Sequence, residues 1–107
     1  MDLIDTYVLK LGKYVIDKDP SATLDYSLDW TEYLEDLGDS IASATVVADP
    51  LLTVVNVSHD LQTVTAWISG GAGSSSTAAL QVTFRITTNH TPPRVDDRSI
   101  YLKIKER

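Results

Sequence analysis

The sequence contains no cysteine. That absence excludes a disulfide framework, a thiolate metal centre and a cysteine nucleophile. Histidine is almost as scarce, with only His59 and His90. A zinc site needs three or four convergent ligands, and none of the usual spacings is present. No apolar run approaches the roughly 20 residues that a membrane-crossing helix needs. The opening MDLIDTYVLKLGKYV has neither a basic n-region nor a small-residue cleavage site, so it does not read as a signal peptide. The expected compartment is a cytoplasm, with release only by lysis.

Basic residues are the minority, nine against fifteen acids, for a net charge of −6. The imbalance is local. Residues 1–60 carry twelve acids against Lys10, Lys13 and Lys18, whereas residues 61–107 carry three acids against six basic residues. Binding to nucleic acid needs a basic footprint that displaces counterions from phosphates, and the acidic half argues against it. Halves of opposite sign suit docking onto other proteins or onto copies of the same chain. They equally suit solvated surfaces that keep the domain soluble.

What is present is period-two alternation. At 107 residues, 43% hydrophobic and 22% charged, the chain has the size and composition of one globular domain. Leu24, Tyr26, Leu28 and Trp30 alternate with Asp25, Ser27 and Asp29, as in a strand with one wet face. Leu80, Val82, Phe84 and Ile86 form a second such set, and Ile100, Leu102 and Ile104 a third. Ile41–Ala48, Leu61–Ser69 and Leu51–Val57 have strand composition, and Tyr7–Ile16 is a weaker candidate. Turn residues separate these segments, among them Asp19-Pro20, Asp49-Pro50, Gly70–Gly73 and Asn89–Pro93. Thr31–Leu37 breaks the alternation and reads as one short helical turn capped by Thr31. The pattern predicts an all-β, immunoglobulin-like antiparallel sandwich of six to seven strands over residues 18–107. Trp30 and Trp67 are the largest candidates for its core, although Val64, Ala66 and Ile68 compete with Trp67 for the inward face. Residues 1–17 form an arm or edge strand, which either packs on a neighbouring subunit or completes the domain's own sheet.

Candidates for chemistry are thin. Asp17 to Asp39 holds eight carboxylates and one lysine, but their spacing matches no calcium loop, and a solvated or partner-facing edge fits better. The glycine-rich Gly70–Ser76 lacks the Lys-Ser/Thr of a phosphate-binding loop and precedes a strand, so it reads as a hairpin loop. No nucleophile elbow supports a catalytic serine.

Several strings occur together in an order that resembles the phage fiber-tail adaptor proteins, a family of small bacteriophage virion proteins. They are Lys18-Asp19-Pro20, Leu24-Asp25-Tyr26, Asp29-Trp30 followed by Tyr33-Leu34, and Gly38-Asp39-Ser40-Ile41. Trp67-Ile68-Ser69-Gly70-Gly71, Arg85-Ile86-Thr87-Thr88 and Asp96-Asp97-Arg98-Ser99 continue the set. The loop Ala72–Ala79, the turn Asn89–Pro93 and the first 17 residues depart from that pattern. The resemblance implies a structural component placed between tail or baseplate and fibers in several symmetry-related copies, without an active site or cofactor. Its partners would be other virion proteins, not nucleic acid or membrane. The expected contact residues are Tyr7 and Leu11 in the arm, Gly70, Gly71, Gly73 and Ser75 in the glycine-rich loop, and His90, Pro92 and Arg94 in the later turn. Arg85, Arg94 and Arg98 are expected to pair mostly with acids of the same domain. Two other readings remain open: a neck, head-completion or decoration protein, and a carbohydrate-binding sandwich module, which gains if Trp67 is exposed beside Thr63 and Thr65.

Overall fold

Alternation decides which side chains leave water, and that choice stacks the strands into two layers. The computed structural model describes residues 6–10, 14–71 and 79–104. In chain order the elements are β1 (Thr6–Lys10), β2 (Tyr14–Lys18), β3 (Leu24–Asp29), α1 (Thr31–Leu37) and β4 (Ile41–Ala48). They continue with β5 (Leu52–His59), β6 (Thr63–Gly70), β7 (Ala79–Thr88) and β8 (Val95–Ile104). One sheet has the order β1-β3-β6-β5 and the other β2-β8-β7-β4. The architecture is the all-β sandwich that the alternation predicts.

The core lies between the sheets. Tyr26 and Leu28 of β3, with Val64, Ala66 and Ile68 of β6, face Leu80, Val82, Phe84 and Ile86 of β7 and Ile100, Leu102 and Ile104 of β8. Truncating one such side chain, Phe84→Ala for instance, removes on the order of 3–5 kcal/mol, through lost transfer energy and the cavity left behind. Trp30 is fully buried where α1 closes one end of the sandwich. Trp67 is not in the core: it points outward and is 40% exposed, because Val64, Ala66 and Ile68 hold the inward phase of β6.

The described residues form eight strands, more than the six or seven expected, because the N-terminal stretch supplies two, one to each sheet. β1 pairs with β3, Thr6 opposite Asp25, and β2 pairs with β8, Tyr14 opposite Ile100. Both pairings are parallel, whereas the remaining ladders are antiparallel. β8 also starts earlier than its apolar alternation suggests, at Val95. Its charged beginning is tolerated because Asp97 lies directly across from Arg85 on the outer face. Two hydrogen bonds, Arg85 Nε to Asp97 Oδ1 at 2.7 Å and Nη2 to Oδ2 at 2.9 Å, join them.

α1 spans the predicted residues, but Thr31 does not cap it. Trp30 occupies the N-cap position without a side-chain bond, and the Asp29 carboxylate instead accepts from the Thr31 amide and hydroxyl. The helix stops at Gly38, whose φ of +64° is left-handed. That conformation lets the Gly38 and Asp39 amides close on the carbonyls of Glu35 and Leu34.

Candidate interaction surfaces

The sandwich sorts the expected contact residues onto two opposite ends. At one end, Gly70 closes β6 and Gly71 follows it. Both have positive φ, +90° and +105°. The Gly71 amide donates to the Leu51 carbonyl at 2.9 Å, and Gly71 is buried against Ile104. Gly70 offers its carbonyl to Lys18. The root of the glycine-rich loop is thus part of the packed structure. Gly73 and Ser75 lie outside the described residues, as does Leu11, and for Tyr7 the structure defines only its place on β1 opposite Tyr26.

Lys18 is a residue that sequence reasoning missed. Its side chain is fully buried, and its ammonium donates to the carbonyls of Asp19 at 2.9 Å, Ala22 at 2.7 Å and Gly70 at 2.7 Å. It therefore ties β2, the β2–β3 connection and β6 together across both sheets. Burial pushes the lysine below its ordinary pKa, with the Asp19 carboxylate pulling the other way. The signal was available: Lys18 is in phase with Ile16, which packs on the core.

At the other end, the turn between β7 and β8 leans on the connection after α1. Asn89 donates through its backbone amide to the Ser40 carbonyl at 3.0 Å and through Nδ2 to Ser40 Oγ at 2.8 Å. Arg94 Nη1 donates to Asp39 Oδ2 at 2.7 Å, and the Arg94 amide to Thr88 Oγ1 at 2.9 Å. Asp39 is nearly enclosed, its side chain 3% exposed. Burial works to raise its pKa, but bonds from the Ser40 amide, the Thr88 hydroxyl and Arg94 outweigh this and hold it below the usual aspartate range. His90 and Pro92 are exposed on the same turn, with His90 Nδ1 at 2.9 Å from the Pro92 carbonyl. Arg98, on the next strand, bonds Asp96 Oδ1 at 2.8 Å and lies over the rings of Trp30 and Tyr33, 5.5 and 5.7 Å from their centroids. All three arginines are thus paired within the domain.

The sign of the pH effect at Asp39 follows from its lowered pKa. A depressed carboxylate adds stability above its unfolded pKa, about 3.9, and loses it as pH falls through the folded value. Asp39→Asn is therefore expected to unfold at a lower temperature than the wild type near neutrality. The gap should close below about pH 4, as thermal unfolding followed at several pH values would show.

The outer face of the β1-β3-β6-β5 sheet has a different chemistry. Trp67 sits in one cross-strand row with Asp25 and Asn56. Thr65, in the next row, shares a 2.7 Å hydrogen bond with Ser27, and Thr63 follows on the same face.

Comparison with known proteins bears on these surfaces. The family model for the podophage GP4 fiber-tail adaptor protein gp77 matches residues 18–103. No curated protein sequence matches the chain. Among solved structures, the cysteine protease inhibitor EhICP2 from Entamoeba histolytica is similar in fold, with a TM-score of 0.55 over 94% of this chain and 95% of that one. The two sequences are 4% identical, so the likeness concerns the fold alone.

Proposed function

The chain belongs to the podophage GP4 fiber-tail adaptor family, and from that premise we propose that it is a structural virion protein joining the tail or baseplate to the fibers through protein–protein contacts. The supporting observation in the structure is that the two segments expected to meet partners are rooted at opposite ends of one sandwich. One root is formed by Lys18 and Gly71, the other by Asp39 and Arg94. A domain with a firm root at each end can hold two different neighbours at a set distance. In this reading it carries no active site and no cofactor. It is assembled in the host cytoplasm and resides in the tail region of the virion in several symmetric copies, where repetition turns weak contacts into a stable junction.

Binding of tail and fiber proteins purified from the particle tests the proposal. His90→Glu, with His90 exposed on its turn, is expected to weaken one neighbour at least tenfold and leave the other unchanged. Deleting residues 73–76 is expected to do the reverse. Loss of both neighbours from each variant, or of neither, would sink the two-ended adaptor. Co-purification with the neck instead would favour the neck or head-completion reading.

One observation favours a second reading. Trp67 is exposed beside Asp25, Asn56, Thr63 and Thr65, an indole among hydroxyl, amide and carboxylate groups that suits the face of a neutral sugar. The adaptor reading expects no glycan-array signal. A signal abolished by Trp67→Ala would put a carbohydrate-binding module in its place.

A further inference from the structure

Among the described residues each sheet of the sandwich ends in two edge strands, and three of the four carry features that discourage another strand from adding. β1 ends on Lys10, and β2 carries Asp17 and the inward Lys18. β5 has a register shift in its middle, between Val54 and Asn56, which bends the strand and interrupts its row of free backbone groups. β4 has no charge on it, and the one such device it carries, a register shift, lies at its start and leaves the rest of the edge regular. Its sequence, IASATVVA, holds no charge and no proline, and its irregularity falls at the start, between Ile41 and Ser43. From Ser43 to Ala48 the ladder with β7 runs unbroken, and among the described residues β4 forms a ladder with β7 alone.

The side chains along this edge have the same character. Val47 is 70% exposed, the most exposed of the large apolar residues described. A hollow of about 220 Å³ opens beside it between Ala48, Asp49, Gln81 and Thr83. The charge on the adjoining strand, Arg85, is already neutralised by Asp97. The edge is thus uncharged, with Thr45, Val46 and Val47 supplying β-branched side chains along its regular part.

We propose that β4 is a self-association edge, pairing antiparallel with β4 of a second copy about a two-fold axis. A two-fold contact brings each surface against itself, so any charge near the axis meets its own like. On a chain of net charge −6, a strand without charge is where two copies approach without that repulsion. The pairing satisfies the free amides and carbonyls of both edges and covers Val47. It also joins the β2-β8-β7-β4 sheet of one copy to the same sheet of the other as one continuous sheet.

Sedimentation equilibrium of the full chain tests the pairing. The wild type is expected to form dimers. Val47→Lys places like charges across the axis and should raise the dimer dissociation constant at least about 100-fold. Val55→Lys, on the other exposed edge at 57% exposure, should leave dimerisation unchanged. Hydrogen exchange gives a readout that needs no variant: amides of Ile41–Ala48 should gain protection as protein concentration rises, while those of β5 do not. A monomeric wild type, a Val47→Lys dimer of unchanged affinity, or equal losses in the two lysine variants would each overturn the assignment of the edge to β4.

Discussion

Lys18→Met is expected to lower the thermal midpoint by roughly 12 °C, a loss of about 3 kcal/mol at about 4 °C per kcal/mol for a domain of this size. Methionine keeps most of the volume and reach of lysine, so the loss does not come from packing. It comes from the carbonyls of Asp19, Ala22 and Gly70, which lose a charged donor at 2.9, 2.7 and 2.7 Å. An unpaired buried acceptor costs about 1–3 kcal/mol. Against this stands the desolvation of the buried ammonium, which the variant no longer suffers. Three donated bonds outweigh one desolvated charge only if the carbonyls cannot turn to water. Differential scanning calorimetry of the two chains decides the balance, and an unchanged or higher midpoint would show that water reaches these groups.

Gly71→Ala should be comparably severe, about 1.5–4.5 kcal/mol, from two causes that add. The backbone at Gly71 has φ of +105°, a region closed to residues with a Cβ and worth roughly 1–3 kcal/mol of strain. The new Cβ would also stand 2.6 Å from Ile104 Cδ1, the far end of that side chain, so Ile104 must shift off its rotamer at a further cost of about 0.5–1.5 kcal/mol. Gly38→Ala is the internal control. Gly38 also has positive φ, but nothing lies within 4 Å of a Cβ built there, so only strain of about 1–2 kcal/mol should appear. Equal midpoints for the two variants would mean that Ile104 yields freely. The comparison separates two roles at this position. If Gly71 served only to meet a partner, its substitution would change binding and spare the midpoint.

Much of the fold is legible because alternation and burial are the same fact seen twice. β3, β7 and the second half of β8 declare their inner faces through Tyr26, Leu28, Leu80 to Ile86, and Ile100 to Ile104. Long polar side chains obscure the rest. Asp96, Asp97 and Arg98 fall outside the alternation that begins at Ile100, although a strand can carry them once Arg85 faces Asp97 across the ladder. Lys18 reads as surface, although three carbonyls make its burial tolerable. The N-terminal stretch reads as one weak strand because the crossing from one sheet to the other has no composition of its own. Of the expected contacts, the loop positions came from a resemblance and not from chemistry visible in the residues. The structure adds their roots: Gly71 packed beneath one loop, and Arg94 locked to Asp39 beneath the other. The Arg94–Asp39 pair joins positions 55 residues apart, and no local pattern announces such a match.

The two parallel pairings also impose an order of events during synthesis. Every strand of the β1-β3-β6-β5 sheet has left the ribosome once Gly70 has emerged. The other sheet must wait, since residue 14 of β2 finds its partner at residue 100 of β8. For most of translation β2 is therefore a strand without a ladder. Pairings so distant along the chain form slowly, and their unpaired edges are exposed in the interval. When β8 docks, Lys18 is drawn inward opposite Ile104, and its bond to Gly70 can then close between the sheets. The Lys18 clamp is in this sense a latch, set when the C-terminal strand arrives.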